Sequence, residues 1–335
     1  MSKKLPTHNA NIPFIAGVDT LLNWRENPVK NKEYQNHEFP IKNEFSDVWK
    51  WKRKKNPYEE QKKLDTFRLP ISEDLTSLKD GIENGIYWLG HATFIFRIDG
   101  KQFITDPVFK GASVIKRWSK LPLKPSEIPS TQYVLISHDH RDHCDKTSLR
   151  KMVKYNPEIQ YFSGLNMGAI LRKFLKEANG QEAGWYQQYK TDGFELYFLP
   201  TRHWAKRGLT DTNKRLWGSF ILKIDDITIY FGGDSGYGSH YKDIAKLFPD
   251  IDYAILGIGA YEPEWFMEDK HSSPSKSYQA FKDLKAKYFI PMHYGTFDLS
   301  DEPIGKPQRE LERIKEETQD SGIIIPVLGS NLMQR

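Results

Sequence analysis

From residue 85 onward the chain sets short apolar runs against polar, helix-forming ones. GIYWLGHATFIFRIDGKQFITDP, residues 85–107, reads as a strand, a turn at Asp99-Gly100 and a second strand, because an Asp-Gly pair supplies the backbone of a tight hairpin. TQYVLISH is a short apolar strand and KTSLRKMVKYN the helix after it. IQYFSG is a strand, and NMGAILRKFLKEANG, residues 166–180, reads as an amphipathic helix stopped at Gly180. Strands follow at FELYFLP, WGSFILKID and DITIYFGG, a short helix at YKDIAKLF, and a buried strand at DYAILGIGAY. SYQAFKDLKAK is a helix, and KYFIPMHYG and GIIIPVLG are strands. Hairpin strands first, then strands alternating with helices, predict an α/β protein of layered sheets with outer helices.

Residues 1–80 lack this pattern. They are rich in Asn, Lys, Pro and Trp with weak alternation, and read as an irregular arm packing on a core domain at 81–335. The arm's aromatic residues (Trp24, Tyr34, Trp49, Trp51, Tyr58, Phe67) argue that much of it is ordered.

Composition narrows the class. The 335 residues are 38 % hydrophobic and 13 % aromatic, enough for a proper core and unlike a disordered chain. A formal charge of +5 with both signs mixed along the chain does not call for nucleic acid. The locally basic segment KWKRKKNPYEEQKK, residues 50–63, reads as a solvated face, with contact to anionic lipid or a phosphate substrate as the alternative. The single cysteine, Cys144, excludes an intrachain disulfide and reads as a small buried apolar residue. MSKKLPTHNANIPF has no apolar core of a signal segment, and no apolar run approaches the roughly 18 residues that span a bilayer. A cytoplasmic protein, with peripheral membrane contact left open, is expected.

ISHDHRDHCD changes the picture. Three histidines and three aspartates crowd residues 138–145, directly after an apolar strand. Three other strands release a metal-type donor at their C-terminal ends: His203 after LYFLP, Asp234 after IYFGG and His293 after YFIPM. In α/β sheets those ends form the rim where ligands bind. Residues two apart on an extended segment face one side, so His138 and His140 can share an ion, and the turn that follows points Asp142 and His143 toward a second. Five imidazoles and two carboxylates exceed one tetrahedral centre and suit two zinc-type ions sharing a carboxylate. Asp106, at a strand end, and His91 in GHAT are candidates to orient these ligands. His8, His37 and His240 are assigned no site role.

WLGHATFIF, TDPVF, SHDHRDHCD, TRHWAKRGLTDTNKRLWGSF, YFGGDSGYG, GIGAYEPEWFM and PMHYGTF, spread in order over roughly residues 85–300, resemble the metallo-β-lactamase fold superfamily. Within it they resemble the N-acylphosphatidylethanolamine-hydrolysing phospholipase D branch, which neighbours a sugar-lactonase branch. The resemblance implies an α/β, four-layer αβ/βα sandwich with two Zn²⁺ at the sheet edges, Mn²⁺ or Fe²⁺ being alternatives. It implies that His138, His140 and His203 hold one ion, that Asp142, His143 and His293 hold the other, and that Asp234 bridges. Asp142 and Asp234 are the catalytic carboxylates on this reading. The activity it implies is hydrolysis by a hydroxide held between the ions, on a phosphodiester or, in the second reading, a lactone or ester.

His271 matches a family position at the substrate head group. Arg141 stands where the family often has Tyr, and can pair bidentately with a phosphate. After His271 the family tends toward Asn/Asp-Pro-Glu, where this chain has Ser273-Pro274-Ser275. A ribonuclease is a lesser reading, since no additional nuclease domain is found. A diiron redox protein and a non-enzymatic metal-binding scaffold rank below it. A small-molecule or phospholipid substrate is expected, with no specific nucleic acid. No Met- or Leu-rich amphipathic stretch announces an acyl-chain groove, and the oligomeric state is not legible.

Overall fold

A computed structural model of the chain describes residues 4–38, 40–41, 45–176 and 178–334. Residues 1–3, 39 and 42–44 of the expected arm, residue 177 of the expected 166–180 helix, and residue 335 lie outside the described residues.

Twelve strands form two six-stranded sheets that follow one another along the chain. The first holds β1 (Gly85–Trp88), β2 (Phe94–Ile98), β3 (Lys101–Thr105), β4 (Tyr133–Ile136), β5 (Gln160–Gly164) and β6 (Gly180–Ala183), in the spatial order β6-β5-β4-β3-β2-β1. The second holds β7 (Gln187–Gln188), β8 (Glu195–Leu199), β9 (Ser219–Ile224), β10 (Ile227–Phe231), β11 (Tyr253–Gly257) and β12 (Tyr288–Met292), laid side by side in chain order. In each sheet an antiparallel group meets a parallel group. β3 to β6 run parallel, as do β10 to β12, while the remaining pairs are antiparallel.

Side-chain alternation assigns the layers. In the first sheet Ile86, Trp88, Phe94, Phe96, Leu135 and Phe162 join one buried cluster with Leu196, Phe198, Phe220 and Leu222 of the second sheet, so these faces pack on each other. The intervening residues Tyr87, Ile95, Ile104, Val134 and Tyr161 join a second cluster. There they meet Leu149 and Met152 of the helix Lys146–Tyr155 and Leu171 of the helix Gly168–Phe174. Call α1 the arm helix Phe45–Arg53, α2 and α3 these two, α4 His240–Leu247, α5 Pro274–Leu284 and α6 Lys306–Thr318. Ile244 of α4, Phe281 and Leu284 of α5 and Leu311 of α6 cover the second sheet. The layering is therefore helix, sheet, sheet, helix, the four-layer αβ/βα sandwich expected from the sequence.

Several local expectations are corrected. Residues 85–107 make three strands, because the chain turns at Gly90 and His91, both at positive φ, before the true hairpin at Asp99-Gly100 (φ 49° and 68°) joins β2 to β3. The 166–180 helix stops at Phe174, and Gly180 opens β6 instead, where residues Gly180–Ala183 pair in register with Tyr161–Gly164. GIIIPVLG is no regular strand. It makes single bridges, Phe289 with Ile323 and Ile71 with Leu328, and Pro326 between them lacks the N–H a ladder needs. The helix α6 was not anticipated.

The arm lies against the core. Ile12, Ile15, Val18, Trp24 and Tyr34 belong to the main buried cluster. Among the described residues no helix is long and apolar enough to cross a membrane.

Candidate metal centre

β1, β3 and β4 point the same way in their sheet, as do β8, β10 and β12 in theirs, so six strand ends converge on one rim. The segments leaving them carry His91, Asp106, His138, His203, Asp234 and His293. The turn after His138, just before α2, adds His140, Asp142 and His143.

Two donor groups result. His138, His140, His203 and Asp234 offer one ligand atom each, all within 4.8 Å of one another, and His91, Asp142, His143 and His293 do the same. Asp234 belongs to both neighbourhoods. Its Oδ2 lies 3.1 Å from His143 Nε2, 3.7 Å from His203 Nε2 and 3.9 Å from His138 Nε2, and its Oδ1 lies 3.2 Å from His293 Nε2. The structure thus brings together all seven residues that the sequence nominated. His91 was nominated only to orient ligands, yet its Nε2 lies 3.2 Å from Asp142 Oδ2, inside a donor group.

The rings are aimed from behind. Ser137 donates its hydroxyl to Asp106 Oδ2 and accepts from His138 Nδ1 at 2.9 Å. His143 Nδ1 donates to the same Asp106 oxygen at 2.8 Å, and His203 Nδ1 to the Lys270 carbonyl at 3.0 Å. Each of these bonds fixes a tautomer whose Nε2 lone pair faces inward. Backbone strain marks the same place: His91, Asp106 and His293 sit at φ 54°, 33° and 63°, a region non-glycine residues seldom adopt. Gly259 lets the strap after β11 lie against the His293 carbonyl, which a Cβ there would strike.

The loop between β8 and β9 clamps this turn. Arg215 pairs with the buried Asp139 at 2.5 Å and also with Asp211, while Arg207 Nη1 donates to the carbonyls of Asp139 and Cys144. Trp217, fully buried, donates its indole N–H to the Thr201 carbonyl and anchors the path to His203. The arm contributes Asn36, whose side chain makes two hydrogen bonds to the His203 backbone. No sequence signal marked Asn36.

The donor set fits divalent cations. Burial and the crowding of imidazoles hold His138 and His203 well below the usual histidine range, so both rings are neutral and able to donate a lone pair. Burial would raise Asp234, but His143 and His293 outweigh it and keep the carboxylate ionised, well below its usual range. Burial disfavours charge on His143 and His293 as well. Asp234 and Asp142 overcome it, raising His143 far above its usual range and His293 to about 9. His140 Nε2, His143 Nε2, Asp234 Oδ1 and His293 Nε2 are buried without a hydrogen-bond partner. Carboxylates that favour positive charge this strongly, beside imidazole nitrogens gathered within 4.8 Å of one another, are suited to metal ions.

Over this floor lies a cavity of about 440 Å³. His140, Asp142 and Asp234 form its base, and Val48, Trp51, Ile115, Trp204, Phe266 and Leu299 its walls. The apolar wall is a correction, since no single stretch announced it; it is assembled from separate segments, with α1 of the arm among them. Trp51 packs on Phe266 at 5.4 Å between ring centroids. His271 sits at the edge, its Nδ1 3.7 Å from Asp234 Oδ2, and burial holds its ring down to about 3, so the ring is neutral. Arg141 is exposed on the rim. Cys144 is buried and its thiol is pushed up to about 12 by burial, consistent with an apolar role.

Comparison with known proteins places this geometry among relatives. A family model described as "Beta-lactamase superfamily domain" matches residues 101–294. The chain is 31 % identical over 294 residues to the N-acyl-phosphatidylethanolamine-hydrolyzing phospholipase D 1 of Caenorhabditis elegans, covering 81 % of each protein. It is 31 % identical over 283 residues to the mitochondrial N-acyl-phosphatidylethanolamine-hydrolyzing phospholipase D of Saccharomyces cerevisiae, covering 77 % of this chain and 57 % of that one. Among solved structures, the metallo hydrolase Igni18 of Ignicoccus hospitalis aligns with a TM-score of 0.58 at 19 % identity, over 74 % of this chain and 96 % of its own, a likeness of fold.

Proposed function

The chain belongs to the beta-lactamase superfamily as a metal-dependent hydrolase of the metallo-β-lactamase fold, and on that premise we propose that it hydrolyses a phosphodiester of the N-acylphosphatidylethanolamine type with two zinc ions. The observation that carries the reading is the meeting of an apolar-walled cavity with a floor whose Asp234 carboxylate faces both donor groups. The relatives named for that phospholipid support the same substrate class.

His138, His140 and His203 would hold one ion and Asp142, His143 and His293 the other, with Asp234 between them. The nitrogen-rich set favours zinc. Bound there, the ions lower the pKa of water toward neutrality and neutralise charge on a phosphoryl group. The chain supplies the rest. Asp106, Ser137 and the Lys270 carbonyl keep the imidazoles aimed, so little reorganisation accompanies reaction. Arg141 and His271 both line the cavity; Arg141 would pair with a non-bridging phosphoryl oxygen, and the neutral His271 would donate one hydrogen bond. Trp51, Trp204 and Phe266 exclude water and give an acyl chain an apolar wall.

The mouth supports a lipid-borne substrate. Next to its lining residues Val48 and Phe266 in the chain, Trp49 and Trp265 are 53 % and 42 % exposed, and Lys50 and Lys54 lie over Trp265 at 5.0 and 4.9 Å. Lys52 and Arg53 lie over Trp51 and Trp49. Aromatic rings interleaved with cations suit the interface of an anionic membrane, so peripheral contact is part of the proposal.

The test is metal content followed by turnover of N-acylphosphatidylethanolamine, bis(p-nitrophenyl) phosphate and a simple lactone. About two zinc per chain and release of phosphatidic acid are expected. Lactone opening without diester cleavage would transfer the chain to the lactonase reading and leave Arg141 without its assigned task.

A further inference from the structure

A second hollow adjoins the metal cavity. Its volume is about 660 Å³, and Ser113, Ile115 and Arg141 line both, so the two meet at those residues. Its charge is one-sided. Lys110, Lys116, Arg141, Lys146 and Arg207 line it, and among the described residues none has a carboxylate within ion-pair distance. The one acid on its wall, Asp145, is engaged elsewhere: it accepts from the backbone N–H and the hydroxyl of Ser148 at 2.7 Å and caps α2. Elsewhere clustered cations alternate with acids, as where Lys306 meets Glu262 and Glu310, or Arg215 meets Asp139 and Asp211. Five unanswered cations around one concave space set up a positive potential that a hollow focuses. Arg207 is held by its two carbonyl contacts, so one charge stands at a fixed place.

We propose that this basin binds a second anionic group, a phosphate monoester or a comparable dianion, on the same substrate whose diester lies over Asp234. The inference rests on the hydrolase reading of the neighbouring site and adds a preference to it. Arg141, on the shared rim, stands between the two anionic groups, and the lysines at 110, 116 and 146 take the outer one. A zwitterionic or neutral head group would leave the basin unfilled.

The test compares two soluble diesters that differ by one monoester phosphate: glycerophosphoinositol and glycerophosphoinositol 4-phosphate. The zinc-loaded wild type and the variant Lys110→Gln/Lys116→Gln/Lys146→Gln are assayed side by side. Exposed charge pairs are individually weak, so three together set the expected preference in kcat/KM for the phosphorylated diester at about tenfold, falling to about one in the variant. The preference should also shrink as ionic strength rises. An equal rate on both diesters in the wild type, or a preference that survives the triple substitution, overturns the proposal.

A binding arm separates this outcome from failure of the hydrolase reading. If neither diester turns over, inositol 1,4-bisphosphate is titrated into both zinc-loaded proteins. About tenfold tighter binding by the wild type supports the basin, and equal affinity overturns it. Vesicles with and without phosphatidylinositol 4-phosphate distinguish a lipid-borne group from a free one. Binding to charged vesicles that soluble glycerophosphoinositol 4-phosphate does not compete would mean that the lysines read membrane charge, and would also overturn the proposal.

Discussion

The floor and the mouth of the cleft are built on opposite plans. Every donor on the floor leaves a strand end or the turn before α2, and the rings of His138, His143 and His203 are fixed by buried partners, Ser137, Asp106 and the Lys270 carbonyl. The mouth is made of short, separate pieces: α1, the 111–116 turn, residue 204 and the stretch around Phe266, with Trp49 and Trp265 exposed. Rigid placement suits chemistry that tolerates errors of tenths of an ångström, whereas an adaptable apolar wall suits a chain of variable length. The floor should therefore fail abruptly under substitution and the mouth gradually.

The sharpest break is at the carboxylate shared by both donor groups. Asp234→Asn keeps the shape but removes the charge, and should lower kcat by about a thousandfold and reduce zinc per chain, read by kinetics with elemental analysis. Near-normal turnover would remove Asp234 from the centre of the account. Next comes the clamp behind the floor. Arg215→Met leaves the fully buried Asp139 unpaired and should cost about 3 kcal/mol of stability, seen as a lowered midpoint in denaturant unfolding. An unchanged midpoint would show that Asp139 finds another partner.

A smaller effect is expected one step further from the metal. Asp106→Asn keeps a hydrogen bond to His143 but weakens its aim, and should cost about 10- to 100-fold in zinc affinity or activity. Zinc titration of the variant decides it. The smallest effect belongs to the mouth. Trp51→Ala should raise KM for a long-chain N-acyl phospholipid about fivefold, as expected for partial loss of one aromatic wall, and leave bis(p-nitrophenyl) phosphate turnover unaltered. Equal losses on both substrates would mean that α1 supports the floor after all.

The same contrast governs what could be read from the sequence. The floor was legible because its chemistry is confined to His and Asp and because each donor stands just past an apolar run: His138 after YVLI, His203 after LYFLP, His293 after YFIPM. The α/β class followed from strands alternating with helices, and the four-layer sandwich from the resemblance that the ordered motifs carry. The mouth was not legible, since Val48, Ile115, Trp204, Phe266 and Leu299 are ordinary apolar residues that only the fold brings together. Asn36 was equally silent, because an asparagine in an irregular arm carries no mark of the backbone it will clamp. Two element errors have local causes. In KPQRELERIKEET only Pro307, Leu311 and Ile314 are buried, so α6 shows a thin apolar stripe. Gly180 looked like a helix stop because its pairing partner, β5, lies outside the local window.

The most direct measurement is an anomalous-scattering map of zinc-loaded crystals of the full chain. Two peaks are expected roughly 3.5–4 Å apart, one beside His138, His140 and His203 and the other beside Asp142, His143 and His293, with the Asp234 carboxylate touching both. A single peak, or a second one away from Asp234, would contradict the shared-carboxylate centre on which the proposed hydrolysis depends.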